Sequence, residues 1–111
     1  ALFDAIKEMA KPQLKHFNPQ DLANTVWAFA TIGHASPVFF DAIADEAELR
    51  LKDFGPQGLA NMVWAFAKAR HALPAFFNAV AEVVTSRSEN FNAQGLANVA
   101  WAFATVEHAS P

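Results

Sequence analysis

The residues of this chain that could do chemistry recur at a fixed interval. Asn24, Asn61 and Asn98 stand 37 positions apart, and so do His34, His71 and His108. Asparagine is a poor former of helix interiors, and a buried amide must find partners. The asparagines therefore read as a structural ladder bonded to neighbouring backbone, with contact to RNA as the alternative. The histidines cannot share a metal. Ligand atoms sit about 2 Å from an ion, whereas packed helices lie about 8–10 Å apart, so imidazoles from successive units cannot converge. A turn or capping role is expected for them, with no metal and no cofactor. The sequence has no supported Ser-His-Asp grouping, no phosphate-binding glycine loop and only 4 glycines, so an enzyme is not expected.

Other residues vary at equivalent positions, as base readers in a modular protein should. Asp4, Asp41 and Asn78 form one such series, and Lys11, Glu48 and Thr85 a second, two turns further along the same helix. Were the first helix of each unit to build a concave surface, both series would face a single strand. Lys7, Lys11 and Lys15 recur every four residues, and Lys68 with Arg70 close a second helix. These cations are candidate phosphate contacts, although charge runs on amphipathic helices also serve simply to keep a face wet. The overall balance opposes a polyanion, with 8 Lys plus Arg against 11 Asp plus Glu and a net charge of −3. Stacking platforms need exposed aromatics. All 3 Trp and 11 Phe fall on lattice positions, so Trp27, Phe29, Trp64, Phe66, Trp101 and Phe103 are expected to form the repeat core.

The elements that must position these groups follow from the same interval. Residues 1–37, 38–74 and 75–111 align without insertion on Phe17, Phe54 and Phe91 as well as on the Trp and Phe anchors. A period in this range marks units stacked on their neighbours. In the middle unit a first helix is expected from Pro37 to Lys52, with Phe40, Ile43, Ala47 and Leu51 as its apolar stripe. The second helices should open at Asn18-Pro19, Gly55-Pro56 and Asn92-Ala93 and stop near Gly33, Arg70 and Glu107. Pro12 should end or kink the first of the first helices. The expected fold is all-α, a right-handed α-solenoid of three helix-turn-helix repeats. Apolar runs are broken well before 18 residues, so no membrane span is expected. There is no cysteine. Because Ala1-Leu2-Phe3 begins within an apolar face, further repeats and any targeting segment are expected outside these residues.

The stretches Asn18–Ala30 and Pro56–Ala67, reading NPQDLANTVWAFA and PQGLANMVWAFA, resemble the signature of octotricopeptide repeats. The related heptatricopeptide repeats and the arrays that precede RAP domains are similar. The likeness spans all 111 residues, with Ala93 replacing the motif proline in the last copy. It implies an α-solenoid in an organelle, chloroplast or mitochondrion, recognising single-stranded RNA during processing, stability control or translation. The alternative it implies is a protein-protein scaffold in a mitochondrial ribosome, photosystem or respiratory assembly.

Because only the middle unit has a neighbour on each side, Trp64→Ala should cost more stability than Trp27→Ala or Trp101→Ala. Thermal melts of the three variants check this order, and equal losses would contradict stacking.

Overall fold

Proline opens four of the helices, at the first turn where its missing N–H has no partner to lose. A computed structural model describes residues 1–109 of the chain, with side chains through Glu107. Helix α1 spans Leu2–Ala10, α2 Pro19–Thr31, α3 Pro37–Glu48, α4 Pro56–Lys68, α5 Pro74–Ser86 and α6 Ala93–Ala109. Short 3₁₀ segments, Lys11–His16, Leu51–Asp53 and Ser88–Asn90, join α1 to α2, α3 to α4 and α5 to α6. The described residues are all helix and turn, with no strand among them. No helix among them is long and apolar enough to cross a membrane.

The helix ends have local causes. Asn18 caps α2 in a reciprocal box: the Asp21 N–H donates to Asn18 Oδ1 at 2.7 Å, and the Asn18 N–H donates to Asp21 Oδ2 at 3.1 Å. Asn92 Oδ1 accepts from the Gly95 N–H at 2.8 Å. At the far ends of α2 and α4 the chain turns through a left-handed residue, Gly33 at φ 73° and Arg70 at φ 59°. The next N–H in each case reaches back five residues, His34 to the Phe29 carbonyl and His71 to the Phe66 carbonyl, both at 2.9 Å. This bonding satisfies carbonyls that a helix otherwise leaves open. α6 behaves differently and runs on through Ala109, past the point near Glu107 where the sequence suggests a stop.

One expectation about the first helices needs correction. α3 stops at Glu48 and the chain tightens to 3₁₀ at Leu51–Asp53, instead of continuing as one helix to Lys52. Pro12 ends α1 early, as expected. α1 stops at Ala10, one residue short of the point equivalent to the end of proline-free α3 and two short of that of α5. The proline also lengthens the 3₁₀ run, which takes six residues after α1 and three after α3, because Pro12 has no N–H to return to Glu8.

Packing is organised by phenylalanine. Within a helix pair, Phe3 meets Phe29 at 5.2 Å, Phe40 meets Phe66 at 5.3 Å and Phe77 meets Phe103 at 5.2 Å, all edge to face. Between pairs, Phe29 meets Phe39 at 5.1 Å and Phe66 meets Phe76 at 5.0 Å. Buried Ala23, Ala30, Ala60 and Ala67 let the backbones approach. Helices α2, α4 and α6 form a closely packed row, α4 lying against both others, while α3 touches α5 more sparingly.

Arginine ties each pair to the one before. Arg50 Nη1 donates to the Phe17 carbonyl and Nη2 to the Leu14 carbonyl, while Arg87 Nη1 donates to the Phe54 carbonyl at 2.8 Å. Phe17 and Phe54 end the 3₁₀ segments, where no helix supplies a donor.

Arg87→Ala should lower stability by about 1–3 kcal/mol, the worth of a charged hydrogen bond to a half-buried carbonyl. Arg70→Gly should raise it by up to about 1 kcal/mol, since a left-handed backbone strains any residue with a Cβ. Chemical denaturation of both variants reads these changes, and a destabilised Arg70→Gly would refute the strain.

Candidate functional site

Along an α-helix, positions i, i+4, i+7 and i+11 lie on one face. In α2 these are Gln20, Asn24, Trp27 and Thr31, in α4 Gln57, Asn61, Trp64 and Lys68, and in α6 Gln94, Asn98, Trp101 and Thr105. The close packing of α2, α4 and α6 sets these faces side by side as four parallel rails: glutamine, asparagine, tryptophan, and threonine or lysine. The buried Leu22, Val26 and Phe29 of α2 and their equivalents Leu59, Val63 and Phe66 in α4 point the other way, into the core.

The tryptophan rail lies at the surface. Trp27 is 44% exposed and Trp101 45%, with Trp64 half-buried between them. Indole centroids are 6.3 Å apart from Trp27 to Trp64 and 6.0 Å from Trp64 to Trp101, with ring planes 30° and 34° apart. Lys68 Nζ sits 5.6 Å above the Trp64 ring, a cation–π contact. The expectation of a common aromatic core therefore divides. Phe29 and Phe66 are buried, Phe103 and Trp64 are partly buried against the core, and Trp27 and Trp101 are exposed. Two residues of a 3.6-residue turn are about 200° of rotation, so both cannot enter one seam.

The asparagines also depart from expectation. Asn24 is exposed and Asn61 and Asn98 are half-buried. Among the described residues their side chains make no hydrogen bond, so no buried ladder to backbone exists. Instead they line grooves between the helices. One of about 460 Å³ between α2 and α4 is walled by Gln20, Asn24, Gln57 and Asn61, with Asp53 at its rim. Another of about 290 Å³ between α4 and α6 is walled by Gln57, Asn61, Gln94 and Asn98. Towards the helix C-termini a third, of about 470 Å³, brings Trp101 together with Lys68 and Arg70.

The series expected to read bases lies elsewhere, on the first helices. Asp4 Oδ1 is 2.9 Å from His34 Nε2 and Asp41 Oδ1 is 2.7 Å from His71 Nε2. These contacts clasp the two helices of a pair, giving Asp4 and Asp41 a hairpin-closing part and the first two histidines a defined partner. The side chain of His108 lies outside the described residues. Asn78, Glu48 and Thr85 are exposed on the same first-helix side. Lys7 lies 3.9 Å from Asp4 and Lys11 3.3 Å from Glu8. Lys11 and Lys15 line a depression with Asp45 and Glu46, so the three lysines form a mixed-charge surface and not a bare basic stripe. Of the sequence's cation candidates, only Lys68 and Arg70 reach the tryptophan row.

Gln20, Gln57 and Gln94 escaped the sequence reading, as did the clasping Arg50 and Arg87. The glutamines carried a signal, an exposed amide one turn before each asparagine at the shared interval.

The fold defines an all-helical protein assembled from successive helix pairs. Its sequence places it more narrowly: residues 1–111 match the family described as RNA-editing substrate-binding complex 6 protein, and the chain belongs to that family. This makes it an RNA-associated helical protein of an RNA-editing complex family. No curated protein and no solved structure matches the chain.

Phe29→Ala should cost about 3–5 kcal/mol, whereas Trp27→Ala, already half in water, should cost about 1–2 kcal/mol. Melting curves of the two variants test the division between core and rail, which equal losses would erase.

Proposed function

We propose that this chain is a segment of an α-solenoid, built of the units 1–37, 38–74 and 75–111, that recognises single-stranded RNA within an RNA-editing assembly and catalyses nothing itself. The observation that carries the reading is the row formed by α2, α4 and α6, where partly exposed indoles adjoin neutral amides with Lys68 and Arg70 beside them. Indoles offer stacking to unpaired bases, worth about 1–3 kcal/mol per base, and carboxamides offer paired donors and acceptors. Family membership supports the choice of nucleic acid.

The net charge of −3 is less of an obstacle than it looks from composition. Among the twelve rail positions there is no carboxylate, and the acids gather largely on α1, α3, α5 and the 3₁₀ segments. A strand crossing the row would lay its phosphates towards Lys68 and Arg70 and its bases towards the asparagines and glutamines. We place this activity in an organelle, the mitochondrion and not the chloroplast, in line with the family's tie to RNA editing. Imaging of the tagged full-length protein would show otherwise if it stained any other compartment.

A protein-docking role draws on a separate observation. Val38 on α3 and Leu49, which follows its last residue, are 68% and 80% exposed, which suits a partner subunit of the same assembly.

Fluorescence anisotropy with labelled single-stranded RNA tests the RNA reading. Trp27→Ala should weaken binding roughly tenfold, and Lys68→Glu should weaken it too. Changing Lys7, Lys11 and Lys15 together to Glu should leave it within about twofold, because log affinity falls with log salt by only about 0.7 per phosphate neutralised and those lysines neutralise none. Binding lost in the triple variant but kept in Trp27→Ala would move the site to the first helices. No binding by the parent at low salt would leave docking as the function.

A further inference from the structure

Modular recognition of mixed RNA sequence needs side chains that differ from level to level at the base-facing position. This chain does the reverse. Its three levels present the same glutamine, the same asparagine and the same tryptophan: Gln20, Asn24 and Trp27, then Gln57, Asn61 and Trp64, then Gln94, Asn98 and Trp101. The one rail position that varies is Thr31, Lys68 and Thr105, on the phosphate side of the indoles. The two series that do vary, Asp4, Asp41 and Asn78 and then Lys11, Glu48 and Thr85, lie on the first-helix side, where Asp4 and Asp41 are engaged with His34 and His71.

Building on the RNA reading above, we propose that the amide and indole row selects a run of one repeated base, a homopyrimidine tract, over mixed sequence. A carboxamide carries a donor and an acceptor and can pair with the edge of any base. Three identical carboxamide pairs must, however, share a single preference, so their best ligand is uniform along its length. With Lys68 the one charge among the twelve rail positions, backbone attraction is weak and the bases must supply the discrimination.

The spacing of the indoles narrows the base. Successive Trp centroids are 6.3 and 6.0 Å apart, while a stacked strand advances only about 3.4 Å per nucleotide. One base per level therefore requires the strand to be unstacked. Runs of pyrimidine give up the least self-stacking when pulled apart, and runs of adenine the most, which is the way sequence-tolerant single-strand sites acquire a preference for pyrimidines. Each freed base then exchanges its neighbour for an indole, and its edge meets the asparagine one turn away.

The experiment compares labelled oligouridylate, oligocytidylate, oligoadenylate and a mixed-sequence RNA, each of about 12 nucleotides, by anisotropy at about 50 mM salt. One pyrimidine run should bind roughly fivefold or more tightly than both the adenine run and the mixed strand. Asn24→Ser, at an exposed position that the fold does not use, should shrink that margin while leaving the melting curve unchanged. Equal affinity for all four strands, with Lys68→Glu weakening all of them alike, would overturn the inference and keep the RNA reading. Strongest binding to the adenine run or the mixed strand would overturn it also. Failure to bind any strand would remove both.

Discussion

The architecture hangs on recurring close contacts between phenylalanine rings. Phe29 meets Phe3 of its own helix pair and Phe39 of the next edge to face, while Phe66 meets Phe40 edge to face and Phe76 at a tilt of 49°. One ring thus closes a hairpin and joins it to its neighbour. Such pairs require centroids about 4.5–7 Å apart with crossed planes and contribute about 0.5–1.5 kcal/mol beyond their buried area. That geometry fixes the roll of α2 and α4 about their axes, and once the roll is fixed the opposite flank of each helix has only one direction to face.

The outward-facing row of amides and indoles is a by-product of that roll. With Phe29 committed to the seam, Trp27 is turned out beside Asn24 and Gln20, and Phe66 does the same to Trp64, Asn61 and Gln57. Apolar character alone would put tryptophan and phenylalanine together in the interior. Angular position separates them, which is why large aromatics counted by type misjudged the core while a helical wheel would have sorted them correctly. The acidic composition is equally blind to position: charge counted over a chain carries no information about which row of helices bears it.

Other features were readable to different depths. The opening prolines at 19, 37, 56 and 74 and the asparagine caps are local events, governed by residues within one turn, and the chain displays them openly. The pairing of His34 with Asp4 spans 30 residues, and Arg50 reaches the Phe17 carbonyl across 33. Neither can be inferred without knowing that a 3₁₀ segment leaves that carbonyl open or that the turn returns the imidazole to the start of its own unit. Pro12 shows the converse. It ends α1 one or two residues early, yet α3 and α5 break close by without it, because each first helix must yield to the turn that carries the chain into the second.

The arginine clasp has an implication for how such chains change length over time. The second and third 37-residue blocks hold both halves of the joint, an arginine, Arg50 or Arg87, and the carbonyl position of Phe54 or Phe91, whereas the first carries Gln13 in place of the arginine. A tandem duplication of either of those two blocks in the gene would therefore deliver a newcomer that already fits on both sides, with no compensating mutation. Unequal recombination could lengthen or shorten the row in whole steps while the folding unit stayed intact. The length of the row would then be a heritable variable separate from the stability of its units.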